Sequence, residues 1–167
     1  MPVKNFSPAG PPVGALLQSP PDSGLRILVV EDAHDIRQLN AEVLIDAGYE
    51  MEVAEDGASA WAALQSTNYD LLITDQFLPK VSGVELLKKL HTARMTLAVI
   101  MTTGILPTWE LALHPCLQSV TMLRTPYTFE KLLGMVKSVL HATASAPAET
   151  TPPPNWQNQS AAIALRL

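Results

Sequence analysis

The stretch YDLLITDQFLPKVSG, residues 69–83, decides the fold. Its apolar run, Leu71, Leu72 and Ile73, is the short continuous pattern of a buried strand. That strand delivers one carboxylate, Asp75, to the point where it ends. Pro79 turns the chain, and Ser82-Gly83-Val84-Glu85 reads as a capping box that opens a helix. A buried strand with an acid at its C-terminal tip is how parallel α/β proteins bring a reactive group to the mouth of a sheet.

The same rhythm repeats on both sides of this segment. Strands are expected at 25–30, 50–54, 69–74, 97–101 and 119–123, and helices at 34–47, 56–65, 82–91, 108–113 and 128–141. The second helix would be capped by Asp56. The first carries a stripe of Ile36, Leu39, Val43, Leu44 and Ala47, closed by Gly48. Regular alternation predicts an α/β fold, a doubly wound five-stranded parallel sheet with helices on both faces. The expected strand order is the flavodoxin-like 2-1-3-4-5, which sets the first and third strands side by side. Three segments follow: a disordered Pro-, Gly- and Ser-rich arm over 1–24, the folded domain over 25–141, and a Pro-rich linker with a C-terminal tail over 142–167. Trp156, Ile163, Leu165 and Leu167 make the tail a frayed end or a short interaction segment. It is too short to fold alone, so signals are expected to leave through the domain surface or the tail.

Composition excludes several classes. The 167 residues carry a formal net charge of −5 and no basic cluster, which argues against a nucleic-acid or membrane-surface partner. Cys116 is the only cysteine, so neither an internal disulfide nor a cysteine-based zinc site can form. Pro2, Pro8, Pro11 and Pro12 interrupt any secretion signal, and no apolar run is long enough to span a bilayer. A cytoplasmic location is the expectation. There is no Gly-rich phosphate loop or GxSxG elbow, and His34, His91, His114 and His141 lack ligand spacing, so a turnover enzyme is not expected.

The expected topology brings Glu31 and Asp32, at the tip of the first strand, beside Asp75. Three carboxylates in one crevice repel, and a hard divalent cation offsets that; Mg²⁺ takes oxygen ligands from one or two carboxylates and several waters. Asp32 and Asp75 are the direct ligands expected, with Glu31 acting through water and the Phe77 backbone carbonyl as a further ligand. Asp75 can also act as a nucleophile towards phosphorus. Thr103, near the fourth tip, would donate a hydroxyl hydrogen bond to the phosphoryl group, with room left by Gly104. Each feature has a plainer reading: a Glu-Asp pair after a strand also suits a helix N-cap.

These residues carry a resemblance. Residues 25–141 resemble the receiver domain of two-component response regulators: ILVVED supplies the acidic pair, DQFLPKVSG the phosphoacceptor Asp75, VIMTTG the switch hydroxyl Thr103, and RTPYTFEKL the segment before the last helix. The resemblance implies Mg²⁺-dependent phosphotransfer to Asp75 from a histidine kinase or phosphotransfer protein, followed by contacts with a downstream protein or a second copy. The segment 105–115, with Trp109, and the last helix are the expected variable face.

Two positions depart from the family. Thr125 stands before Pro126 where the family has lysine, and Met122 stands where the family has its switch aromatic. A threonine can hydrogen-bond but brings no charge. Arg124 is adjacent, on the opposite face of its strand; Lys80, in the loop after Asp75, is the more flexible cation. The intact carboxylates favour a stand-alone phosphorylated receiver. The two losses favour a degenerate receiver acting as a phosphorylation-independent binding module. Phe77 and Ile105 are bulky and predict slow self-dephosphorylation.

Overall fold

The computed structural model describes residues 24–105, 112–113 and 118–145. Five strands are formed: β1 (Arg26–Val30), β2 (Glu50–Ala54), β3 (Leu71–Asp75), β4 (Ala98–Thr103) and β5 (Thr121–Arg124). Among the described residues, the helices α1 (His34–Asp46), α2 (Gly57–Ser66), α3 (Gly83–Thr92) and α4 (Phe129–Ser145) connect or follow them. All strand pairs are parallel, in the order β2-β1-β3-β4-β5. This is the doubly wound order expected from the alternation. The arm over 1–23, most of the expected helix at 108–113, and the segment beyond Ser145 lie outside the described residues.

Side-chain parity splits the core into two layers, since alternate strand residues face opposite sides. Leu28, Val30, Leu72 and Met101 pack with Ala60, Leu64, Leu86 and Leu90 of α2 and α3. Ile27, Val29, Leu71, Ile73 and Ile100 pack on the other face with Leu44 of α1 and Leu132, Val136 and Leu140 of α4. Both faces of the three central strands are therefore covered, which explains their unbroken apolar runs.

The helix boundaries follow from local chemistry. Asp56 caps α2 by accepting from the N–H groups of Ala58 and Ser59 at 2.9 and 2.7 Å. The capping box of α3 is formed, with Ser82 and Glu85 each accepting from the other's backbone. At the end of α1, Gly48 takes φ 98°, and the N–H groups of Gly48 and Tyr49 close on Ile45 and Leu44. Such a turn needs the left-handed region that glycine enters freely. The last helix runs past the expected boundary at 141 to Ser145. Alanines favour its continuation, and the Thr143 hydroxyl donates to the Leu140 carbonyl at 2.8 Å.

One glycine sets the depth of the site. A Cβ on Gly83 would lie 2.2 Å from the Asp75 carbonyl oxygen, so only glycine lets α3 start against the tip of β3. On an exposed helix Gly→Ala stabilises by up to about 1 kcal/mol. Here Gly83→Ala is expected to destabilise by about 2 kcal/mol or more in denaturant unfolding, because the new methyl meets rigid backbone. A neutral or stabilising result would mean that the β3–α3 turn is looser than described.

Candidate active site at the strand tips

Pairing β1 with β3 in parallel places their C-terminal tips together. Val30 pairs with Thr74, so Glu31 and Asp32 leave β1 beside Asp75. One carboxylate oxygen from each of Glu31, Asp32 and Asp75 lies within 4.8 Å of the others. Glu31 is buried, Asp75 half-buried and Asp32 exposed, so the cluster opens to solvent on one side.

The carboxylates do not serve as a helix cap. Ala33 is the N-cap residue of α1 and makes no side-chain cap bond. Glu31 accepts the Ala33 N–H at 3.2 Å. The hairpin between β1 and α1 is held instead by Arg37, whose guanidinium donates to the carbonyls of Glu31 and Asp32 at 2.6 and 3.2 Å. A cation five residues after an acidic pair, in the first turns of the next helix, is a legible pattern that the sequence reading passed over.

Burial and mutual repulsion act on these acids. Burial pushes the Glu31 carboxyl up to about 7, against the Ala33 hydrogen bond, with the charges of Asp75 and Asp32 adding to the rise. Burial also raises Asp75; the N–H of Gln76, at 2.7 Å, opposes this, and the Asp32 charge reinforces it. Hard oxygen donors with an electrostatic deficit suit a small divalent cation, and three carboxylates fit Mg²⁺ better than any softer ion. The Phe77 carbonyl lies in the same loop, two residues past Asp75.

The threonines divide. Thr102 is paired with Asp75 in register, so its side chain shares that face, and its hydroxyl lies 3.4 Å from Asp75 Oδ1. Thr103 is fully buried, and its hydroxyl bonds to Gln76 Oε1 and to the backbone of Ile105. Thr103 is thus turned to Gln76, not to Asp75. Thr125 closes the far side: its hydroxyl lies 3.4 Å from where a Cβ on Gly104 would stand, and its N–H donates to the Thr103 carbonyl. The Thr125–Pro126 peptide is cis.

Lys80 is engaged elsewhere. Its ammonium meets Asp56 at 2.5 Å, and this hydrogen bond, with the Ser59 N–H, holds the Asp56 carboxyl down at about 2. The loop after β3 is seated on α2 at this point, since a Cβ on Gly57 would fall 1.9 Å from the Val81 carbonyl. Arg124 is exposed at the end of β5, and Met122 is half-buried against the α2–α3 side of the core.

Comparison with known proteins decides the family. Residues 27–108 match the response regulator receiver domain. The response regulator receiver protein CpdR of Brucella abortus is 30% identical over 120 residues, covering 70% of this chain and 98% of CpdR. The chain belongs to the response regulator receiver family. The response regulator RppA of Synechocystis is 40% identical over 83 residues, but the match spans only 36% of RppA and 48% of this chain. Among solved structures, the response regulator TrrA of Thermotoga maritima, in complex with Mg²⁺ and BeF, superposes with a TM-score of 0.61 at 31% identity, covering 69% of this chain and 98% of TrrA. Among the described residues of this receiver, no helix is long and apolar enough to cross a membrane.

The raised acids set a pH dependence. Folded Glu31 keeps a proton up to about pH 7, whereas the unfolded chain releases it near 4.5. Its contribution to stability is therefore complete below about 4.5 and is lost as pH rises through 7. The metal-free receiver is expected to melt at a lower temperature at pH 8 than at pH 5.5, and Glu31→Gln should flatten the slope. Added Mg²⁺ should raise the midpoint more at pH 8 than at pH 6. A slope unchanged by Glu31→Gln would contradict the burial of that carboxyl.

Proposed function

We propose that this receiver accepts a phosphoryl group on Asp75 from a histidine kinase or phosphotransfer protein and signals through protein contacts. The observation that supports this most is the convergence of Glu31, Asp32 and Asp75 within 4.8 Å at the tips of adjacent strands. On this reading Asp32 and Asp75 ligate Mg²⁺ directly, Glu31 acts through water, and the Phe77 carbonyl completes the protein ligands. The bound ion would neutralise the phosphoryl oxygens.

The chain's own residues do the rest. An Asp75 carboxylate oxygen attacks phosphorus, the N–P bond of a phosphohistidine breaks, and the imidazole departs with the electron pair. Thr102 and Gln76 already hold the Asp75 carboxylate by its Oδ1, which fixes its direction. Thr103 and Thr125 are the hydroxyls available on the neighbouring tips. Exposed apolar residues surround the rim: Ile36 and Leu39 on α1, Phe77, Ile105, and Phe129 at the start of α4. They supply the surface on which a phosphohistidine-bearing partner would seat. Acceptance of one phosphoryl group per molecule is not turnover catalysis, and a cytoplasmic setting accompanies this reading.

A second reading has its own support. Thr125 brings no charge, and Lys80 is held by Asp56, so neither of these two positions offers a free lysine to Asp75. A degenerate receiver that binds its partner without phosphate would look like this.

Incubation with Mg²⁺ and a small-molecule phosphodonor, or with a kinase, separates the two. A mass increase of one phosphoryl group, abolished by Asp75→Asn and by chelation, is expected. No increase with either donor would remove the first reading in favour of the second. Phe77 and Ile105, two residues past Asp75 and Thr103, are 64% and 74% exposed, and on this reading they shield the phosphoryl group from water. Phe77→Asn is expected to shorten the phosphoryl lifetime several-fold; an unchanged lifetime would count against shielding by Phe77.

A further inference from the structure

Gln76 immediately follows Asp75, and it is a polar side chain inside the protein, 7% exposed. Its backbone is fixed on both sides. The N–H donates to Thr102 O at 3.0 Å and to Asp75 Oδ1 at 2.7 Å, and the carbonyl accepts from Gly83 N at 3.0 Å. Gly83 packs close to this backbone, where a Cβ would lie 3.1 Å from the Gln76 Cα. The direction of the Gln76 side chain therefore follows from the frame around it. It points across to β4, where its Oε1 meets the hydroxyl of fully buried Thr103.

The other contacts of that hydroxyl are local. Thr103 Oγ1 accepts from Ile105 N, and Ile105 O lies within its reach as a second acceptor, so its one proton is shared between the Gln76 and Ile105 carbonyls. Ile105 is 74% exposed, so this small turn can travel with Thr103. The bond to Gln76 spans 27 residues and joins the start of the loop after β3 to the end of β4. A hydroxyl has one proton, so Thr103 cannot donate to Gln76 and to a phosphoryl oxygen at once.

We propose that Gln76 is a positioning residue that holds the Thr103 hydroxyl away from Asp75, so that capture of a phosphoryl group by Thr103 requires this buried bond to break. This rests on the reading of Asp75 as the phosphoacceptor. A phosphoryl group on Asp75 extends the side chain beyond the strand tip, towards the level of Thr103, one residue past Thr102. Moving Thr103 to it breaks the buried contact between that hydroxyl and Gln76 Oε1, and losing a buried hydrogen bond is costly. Gln76 thereby sets a threshold on the step by which the site reports its own occupancy.

The test uses the full chain and Mg²⁺ with beryllofluoride as the phosphoryl mimic, followed by calorimetry. Gln76→Leu is expected to tighten beryllofluoride binding about tenfold, the scale of one buried hydrogen bond, while Mg²⁺ affinity stays unchanged. In a Thr103→Val background the same change should bring no gain. A merely structural role for Gln76 would weaken both ligands or neither. Gln76→Met, with an unbranched chain of similar length, repeats the test if the leucine variant folds poorly. Affinity within twofold of the parent in both variants, or an equal gain without the Thr103 hydroxyl, would overturn the proposal. Absence of any beryllofluoride binding by the parent chain would count against the phosphoacceptor reading alone. The latch is then judged by NMR couplings at Thr103. Release from a single side-chain rotamer in Gln76→Leu supports it, and a rotamer unchanged by the substitution overturns it.

Discussion

Three carboxylates drawn into one crevice are the constraint on which this molecule turns. Nothing in the local sequence of Glu31-Asp32 or of Asp75 requires them to meet. They meet because β1 and β3 pair in parallel with Val30 opposite Thr74, and because apolar runs drive both strands into the centre of the sheet. The core therefore brings together charges that repel one another, and it partly buries them. That tension appears as a Glu31 carboxyl lifted to about 7. On the proposed reading a divalent cation would relieve it in one state and a proton in another, so the site would respond to what occupies it.

The loops around the crevice are held by different means. Arg37 fixes the β1–α1 hairpin through carbonyl oxygens, leaving the carboxylates of Glu31 and Asp32 free to face the site. Gly83 and Gly57 let α3 and α2 close on the β3–α3 loop, and Lys80 ties that loop to Asp56. On the far side Tyr127 shares hydrogen bonds with buried Asn40, joining the segment after β5 to α1. Burial raises the Tyr127 phenol, and the nearby charges of Glu31 and Asp75 add to the rise. With Thr125 in place of a lysine, that position brings no positive charge to the crevice, while Arg37 is bonded to backbone carbonyls and Lys80 to Asp56.

Much of this was legible in the residues. The alternation gave the sheet and its order, because helices and strands bury apolar side chains with different periods. Strand β2, the Ser82–Glu85 capping box and the Gly48 turn stand where their signals put them, since each is decided within a few residues. What sequence could not supply was strand parity at the site. Whether Thr102 or Thr103 shares a face with Asp75 depends on the register between β3 and β4, a contact across 27 residues. The structure pairs Asp75 with Thr102, and it turns Thr103 to Gln76. Lys80 was likewise readable as a mobile cation, but its partnership with Asp56 arises from the packing of Gly57 under Val81, which no local pattern reveals. Gln76 went unremarked because a polar residue after a strand usually faces water, and this one does not.

The central claim is that the crevice is a metal site built from its own three carboxylates. Calorimetric titration of the metal-free chain with Mg²⁺ at pH 7 tests it most directly, run in two buffers of different protonation enthalpy. One ion should bind per molecule with measurable release of protons, because raised acids must ionise to take it, and Asp32→Asn and Asp75→Asn should each weaken binding by at least tenfold. Absence of binding in the parent chain, or binding indifferent to both substitutions, would contradict the account.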